Sequence, residues 1–341
     1  MAETDRPVRI GINGFGRIGR CTFKQLLARP GCEVVGVNDL ADIGDLAYLL
    51  KYDSVHGWYP RKVSEDGQAL HVDGRAIPFS QHKNPADIPW GDLGAEVIVE
   101  SSGAFRARAK ADLHLVGGAK RVIVSAPSDD VDGTFVPGVN HETYDPGKHV
   151  VVSMASCTTN CLAPVAWVLH DAFGIEHLMM TTVHAYTSSQ ALADTPVRKR
   201  RRGRAAALSI IPTSTGAAKA TELVIPELAG RMDAISLRVP VPDGSICDVV
   251  ALLSRDADAE EVNTVLVAAA AAERWRGILR VSDEALVSQD IIGDTHSSIV
   301  DQESTMVLRD RVAKVLAWYD NEWGYSARLV DFACYVSSRG V

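Results

Sequence analysis

"VRIGINGFGRIGRCTF", residues 8–23, decides the fold of the first half of this chain. It opens as a β-rich run, sets Gly14, Gly16 and Gly19 in G-x-G-x-x-G spacing, and leads into the helix-like "CTFKQLLAR". Strand, glycine turn and helix in that order make the phosphate end of a dinucleotide site. Gly14 permits the tight turn, Gly16 lets a pyrophosphate approach the backbone, and Gly19 lets helix and strand pack closely. The helix N-terminus adds N–H groups and a positive dipole end. Glycine-rich turns are common, so the context must carry the reading. The next run, "EVVGVND", ends in Asp39, about twenty residues past Gly19, where the fingerprint places an acid for the adenosine ribose hydroxyls. The plain alternative for Asp39 is a strand-end turn residue. A carboxylate there repels a 2′-phosphate, so NAD is expected over NADP.

Further short apolar runs follow: "AEVIVES", "KRVIVSA" and "HVVVSMAS". Near-continuous apolar strands alternating with helical patterns indicate a doubly wound parallel sheet covered on both faces, an α/β (Rossmann) domain. After Cys157 the pattern changes. "LMMTTVHAYT", "AISLRVPVP", "ICDVVALLS" and "AKVLAWYD" are longer strands without an obligate helix after each. "DAEEVNTVLVAAAAAER" reads as a helix with acids in its first turn. The second half is therefore expected to be α+β with a mostly antiparallel sheet, and the boundary near Ser156 or Cys157.

At 341 residues the chain suits two such domains. Its net charge of −8 argues against a nucleic-acid binder. The local exception, "RKRRRGR" at Arg198–Arg204, has three readings: a nucleic-acid patch, a solvated loop, or cations presented to a phosphorylated small molecule. No apolar run approaches the roughly 20 residues of a membrane span. The opening "MAETDRPVRI" is polar, so no signal peptide is expected. Six cysteines without a repeating framework then suggest reduced thiols and a cytoplasmic protein.

"SMASCTTNC", residues 153–161, crowds two cysteines with small polar side chains. Cys157 follows a parallel strand, at the sheet edge where ligand crevices open. The segment beyond is helix-like and contains Pro164. Either the helix starts near Pro164, or it starts at Cys157 and is bent. In the second case dipole and N–H groups would stabilise a thiolate. Cys161 reads as a small buried hydrophobe. A zinc site would need two more ligands and none is paired in sequence, so no metal is expected. A cysteine nucleophile needs a base, and His184 of "TTVHAYT" is the candidate, able to form a thiolate–imidazolium pair. A lone histidine on a strand is usually structural.

"INGFGRIGR", "SAP", "GVNH", "SCTTNCLAP", "TTVHAYT", "RAAALSIIPTSTGAAKA", "LRVPVP" and "WYDNEWGYS" occur in this order along the chain. Together they resemble the phosphorylating glyceraldehyde-3-phosphate dehydrogenases over essentially the full length, with "SCTTNC" and "NEWGYS" the most specific. The resemblance implies that Cys157 attacks the aldehyde of glyceraldehyde 3-phosphate. It implies that His184 activates the thiol and takes the hemithioacetal proton, and that inorganic phosphate cleaves the resulting thioester. It implies two anion sites among Ser156, Thr158, Thr187, Arg202, Thr215, Gly216 and Arg238. Around the cofactor it implies roles for Arg17, Ile18, Ser125 and Asn321, with Lys83 where an arginine often nears the adenine. It implies a homotetramer, with "RKRRRGR" as a loop approaching a neighbouring subunit. It implies an NAD-binding domain over 1–156, a catalytic domain over 157–321, and a C-terminal helix (322–341) packed back on the first.

The chain departs from that family at Met154, where an asparagine is usual, and at Ser189, where an aspartate is frequent. Thr195 replaces a residue tied to cofactor choice, which leaves partial NADP use open. Two rival readings are an erythrose-4-phosphate dehydrogenase and a non-catalytic nucleotide- or RNA-binding relative. "HAYT" and "PTSTGAAKA" favour the triose enzyme over the first, and retention of Cys157 with His184 argues against the second.

Overall fold

The computed structural model describes residues 6–340; the polar opening Met1–Asp5 lies outside the described residues. The chain forms two compact units. Of the described residues, one holds Arg6–Phe135, His141–Ala155 and Ser326–Gly340, and the other holds Val136–Asn140 and Ser156–Tyr325.

The first unit is built on a nine-stranded sheet. Its parallel part runs Gly133–Thr134, Val151–Ser153, Arg121–Val124, Val97–Glu100, Val8–Asn13, Cys32–Asn38, Arg75–Ser80. Two short antiparallel strands, Ala69–Val72 and Val63–Glu65, extend the far edge. Val63–Glu65 is mostly exposed, and Ala69–Val72 buries only Leu70 and Val72, an alternation too short to be legible as a strand. Val8–Asn13 lies between Cys32–Asn38 and Val97–Glu100, so successive crossovers leave it in opposite directions. Ligands bind at such a switch point, beyond the C-terminal strand ends.

Side chains tie those ends together. Trp90 is fully buried against the strand backbone: a Cβ on Gly11 would come within 2.6 Å of its ring, so this central strand must carry glycine. Trp90 Nε1 donates to His114 Nδ1 at 3.0 Å, and His114 Nε2 faces Glu100 Oε2 at 2.9 Å. Asn13 Nδ2 donates to the same carboxylate at 2.5 Å, and Asn38 Nδ2 donates to Asn13 Oδ1 at 2.8 Å. Buried polar groups are tolerated because each is hydrogen-bonded. The chain of bonds links the ends of three adjacent strands.

The C-terminal helix, Trp323–Ser338, contributes its length from Ser326 on to this unit. Phe332 stacks on Phe135 with centroids 5.4 Å apart and meets Tyr144 edge-on at 6.0 Å. Such pairs add about 0.5–1.5 kcal/mol beyond burial.

The second unit carries a seven-stranded sheet, ordered Ile211–Ser214, Met232–Val239, Ile175–Ala185, Ser245–Leu253, Val312–Tyr319, Ser298–Leu308, Leu279–Ser282. Its pairings are antiparallel except for Ile175–Ala185 with Met232–Val239 and Leu279–Ser282 with Ser298–Leu308. Helix Cys157–Phe173 packs on it, with every residue from Thr158 to Ala166 buried. That helix begins at Cys157 and continues through Pro164, so the proline does not mark its start. Helix Ala259–Ala271 is capped by Asp258, which accepts from Glu261 N at 2.8 Å. It stops before Arg274, whose guanidinium instead lies over the Trp167 ring at 4.3 Å. Among the described residues no helix is long and apolar enough to cross a membrane.

Candidate active site

In the first unit the glycine turn is shaped as the spacing requires. Gly14 has φ +90°, and a Cβ there would strike Ser102 N at 2.3 Å. A Cβ on Gly19 would come within 2.1 Å of the Gly14 carbonyl oxygen, so only glycine allows the helix this close. Gly16 is the reverse case: nothing lies within 4 Å of where its Cβ would be. Gly16 is also the N-cap of helix Arg17–Ala28, which has no side-chain cap. A helix N-terminus facing open space at a glycine is suited to a pyrophosphate. Asp39 Oδ2 accepts from Phe15 N at 2.6 Å and Oδ1 from Ala41 N at 2.9 Å, fixing the carboxylate beside the turn.

Arg17 Nη1 donates to Asp53 Oδ1 at 2.8 Å and Nη2 lies 3.1 Å from His56 Nδ1, so its side chain is tied into the fold. Ile18, in the same first helical turn, is half-buried. Ser125 is half-buried and donates its N–H to Glu100 O at 2.9 Å, while Lys83 is exposed. Met154 is fully buried core, its N–H bonded to Val124 O at 3.1 Å.

The turn into helix Cys157–Phe173 runs through Ala155, a non-glycine residue at φ +54°. Ser156 is the N-cap: its Oγ accepts from Thr159 N at 3.0 Å. Cys157 is therefore the first residue of the helix. Its Sγ lies 3.5 Å from Nε2 of His184, the last residue but one of strand Ile175–Ala185. Cys161, one turn on, is buried with Sγ 3.6 Å from Ala317 O.

His184 Nδ1 lies 2.7 Å from Ala185 O, which can only accept, and 3.0 Å from Arg238 Nη1, which can only donate; the proton is assigned to Nδ1 on the shorter contact, which leaves the Nε2 lone pair facing the sulfur. Arg238, paired in register with His184 on the neighbouring strand, donates Nη1 to the same carbonyl at 2.9 Å. Its Nε is buried with no hydrogen-bond partner. An orphaned guanidinium N–H is well matched to an anion.

Burial pushes the Cys157 thiol up to about 11, opposed by the Arg238 charge and by the hydroxyl and N–H of Thr158. Burial, with Arg238 and Arg202, brings the His184 imidazole down to about 3. Desolvation acts against the charged form of each partner in the expected thiolate–imidazolium pair, while the Arg238 charge favours the thiolate.

Thr158 is buried with Oγ1 2.9 Å from Tyr319 Oη. Arg202 Nε donates to Thr213 Oγ1 at 3.0 Å and Nη1 reaches Ser189 Oγ at 3.4 Å, while Ser189 Oγ lies 2.8 Å from Thr187 Oγ1. Ser189 therefore joins Thr187 to Arg202. Elsewhere in the basic run Lys199 Nζ donates to Ser214 Oγ at 2.8 Å and Arg204 pairs with Asp194 at 2.7 Å. Thr215 Oγ1 accepts from Ala217 N at 3.2 Å, and Gly216 is the uncapped N-cap of helix Ala217–Val224 with open space where a Cβ would stand.

Three contributors carry no sequence signal by themselves. Ser245 Oγ donates to Asn321 Oδ1 at 2.5 Å and accepts from Ala185 N at 3.0 Å, leaving Asn321 Nδ2 to donate. Thr213 orients Arg202. Tyr319, inside a motif that singles out its neighbours, holds Thr158 and Thr182 (each at 2.9 Å) and meets the His184 ring edge-on at 5.9 Å.

Residues 8–108 match the family described as glyceraldehyde 3-phosphate dehydrogenase, NAD binding domain, and residues 156–321 match its C-terminal domain. The chain is 53% identical over 334 residues to glyceraldehyde-3-phosphate dehydrogenase of Geobacillus stearothermophilus, covering 98% of this chain and 99% of that one. It is 53% identical to glyceraldehyde-3-phosphate dehydrogenase 1 of Bacillus subtilis with the same coverage. It is 51% identical over 333 residues to that of Streptomyces coelicolor, covering 97% and 99%. The nucleotide turn, the cysteine–histidine pair and these matches lead to one statement: the chain belongs to the glyceraldehyde-3-phosphate dehydrogenase family.

Proposed function

We propose that this chain oxidises and phosphorylates the aldehyde of D-glyceraldehyde 3-phosphate with NAD, giving 1,3-bisphosphoglycerate. The observation that carries the reading is Cys157 Sγ at 3.5 Å from an imidazole nitrogen whose tautomer leaves it a base.

His184 Nε2 takes the thiol proton as Cys157 sulfur bonds to the aldehyde carbon, and the proton passes to the carbonyl oxygen to complete a hemithioacetal. NAD, held by the glycine turn, Ile18 and Asp39, supplies the hydride acceptor when bound. His184 takes the hydroxyl proton as the C–H bond gives up its hydride, leaving a thioester on Cys157. General-base help of this kind is worth roughly 10²–10⁴-fold. Inorganic phosphate then attacks the thioester carbon and Cys157 leaves. Arg238 Nε and the Thr187–Ser189–Arg202 group are assigned to one phosphate, and Ser156, Thr158, Thr215 and Gly216 to the other.

The assembly is assigned as a homotetramer. Strand register puts Met306, Lys314, Val250 and Met179 in one row across one face of the second unit's sheet, with Lys314 paired to Asp248 at 2.7 Å. On that face Met179, Ile235, Met306 and Leu308 are each about half exposed or more, and an apolar patch of this kind fits burial against another subunit. The cysteines, unbridged in the structure, fit a cytoplasmic setting.

Steady-state rates with NAD and NADP, each with and without phosphate, test the activity. Phosphate-dependent NADH formation from glyceraldehyde 3-phosphate is expected. Faster, phosphate-independent turnover of erythrose 4-phosphate would move the assignment to the sister activity.

A further inference from the structure

Outside the nucleophile site, two cysteines separated by 302 residues meet sulfur to sulfur. Cys32, the first residue of strand Cys32–Asn38, lies with its Sγ 2.8 Å from Sγ of Cys334 on the C-terminal helix. That is about 0.8 Å beyond a covalent S–S bond of roughly 2.05 Å. Cys21, Cys161 and Cys247 are buried, whereas Cys32 and Cys334 are both half-exposed. The same two segments are already joined by Arg29 and Asp331, paired at 3.3 Å.

We infer that Cys32 and Cys334 form a reversible dithiol–disulfide couple, a modification site at which a low-molecular-weight disulfide oxidises the pair and locks the C-terminal helix to the second parallel strand.

The two thiols are not equivalent. A hydrogen bond with Cys334, helped by the Arg29 guanidinium, holds the Cys32 thiol below its ordinary range. Cys334 is pushed up by the same bond and by burial. Cys32 is therefore the attacking sulfur and Cys334 the resolving one. The Cys32 thiolate attacks one sulfur of the small disulfide, breaking its S–S bond and releasing one thiol as a mixed disulfide forms. Cys334 loses its proton to solvent, its sulfur attacks Cys32 Sγ, and the second small thiol leaves. The two cysteines lose two electrons and two protons, and the small disulfide gains them as two thiols. Closing so long a segment constrains the unfolded chain strongly.

The full-length protein equilibrated against defined ratios of oxidised to reduced glutathione, acid-quenched, alkylated and digested without reductant gives the test. A peptide linking Cys32 to Cys334 should appear, rise with that ratio and vanish on reduction, and peptide mapping separates it from events at Cys157. Cys334→Ser should lose the link and retain glutathione on Cys32, and Cys32→Ser should lose both. Oxidised wild type should melt several degrees above reduced wild type. A lasting glutathione adduct on Cys32 of the wild type, or full alkylation of both thiols at every ratio, overturns the couple. Equal melting of the two wild-type forms overturns the lock, and that comparison needs no substitution to fold.

Discussion

His184 Nδ1 lies 2.7 Å from the carbonyl oxygen of Ala185, its own chain neighbour. This contact orients the ring so that Nε2 is turned to Cys157. No carboxylate is placed in that position, so the imidazole is oriented without a partner that would hold it charged. Burial first, and then the charge of Arg238, which shares the carbonyl, hold the imidazole below its ordinary range.

Replacing the base should separate chemistry from binding. His184→Asn is expected to lower kcat by roughly 10²–10⁴-fold while NAD binding, measured by titration, stays unchanged. Unaltered kcat would remove His184 from the mechanism.

The Arg238 charge opposes the upward push of burial on the Cys157 thiol, and its orphan Nε is offered to an anion. Arg238→Leu should slow iodoacetamide alkylation of Cys157 at pH 8 by about tenfold, the effect of a shift of one pKa unit. It should also raise the KM for phosphorylated substrate. Alkylation at the wild-type rate would show that its charge does not reach the sulfur.

Asp53 anchors the first helix through Arg17 at 2.8 Å and Lys24 at 3.7 Å, its side chain 1% exposed. Bonds from His56, Arg17 and backbone N–H groups hold its carboxyl far below the usual range, against burial. A depressed carboxyl stabilises the fold at pH values above its unfolded pKa, near 4, and the contribution is lost as pH falls below that value. Asp53→Asn should therefore cost about 3 kcal/mol at pH 7, a difference that begins to shrink as pH falls below about 4 and is still mostly present at pH 3. Urea unfolding of both proteins across that range checks the sign; a pH-independent difference would mean the loss is one of packing.

Ala155 sits at φ +54°, fully buried, with its N–H donated to Ser153 Oγ at 2.9 Å. A left-handed L-residue carries about 1–2 kcal/mol of strain. Ala155→Gly should stay within about 1 kcal/mol of wild type as relief offsets chain entropy. Ala155→Val should destabilise by about 2–4 kcal/mol, since a branched Cβ is both overpacked and misplaced. Denaturant midpoints for the pair decide it; equal values would mean the turn has moved.

Much of this was legible before any coordinates. Glycine spacing, the acid at position 39 and the change of strand pattern after Cys157 are local features, because backbone sterics and side-chain periodicity act over a few residues. The linear motifs carried the nucleophile and its base as a resemblance. Other features had no local trace. Pro164 left open where the nucleophile helix starts, and tertiary packing settled it at Cys157, burying the proline inside.

Tertiary structure alone decided how distant side chains meet. Val136–Asn140 joins the second unit although its neighbours belong to the first, with Arg274 bound to its carbonyl oxygens. Ser189 bridges Thr187 to Arg202, Ser245 turns Asn321, and Cys32 meets Cys334. Each depends on strand register and side-chain direction between segments far apart in the chain, and periodicity within one segment holds no record of what packs against it.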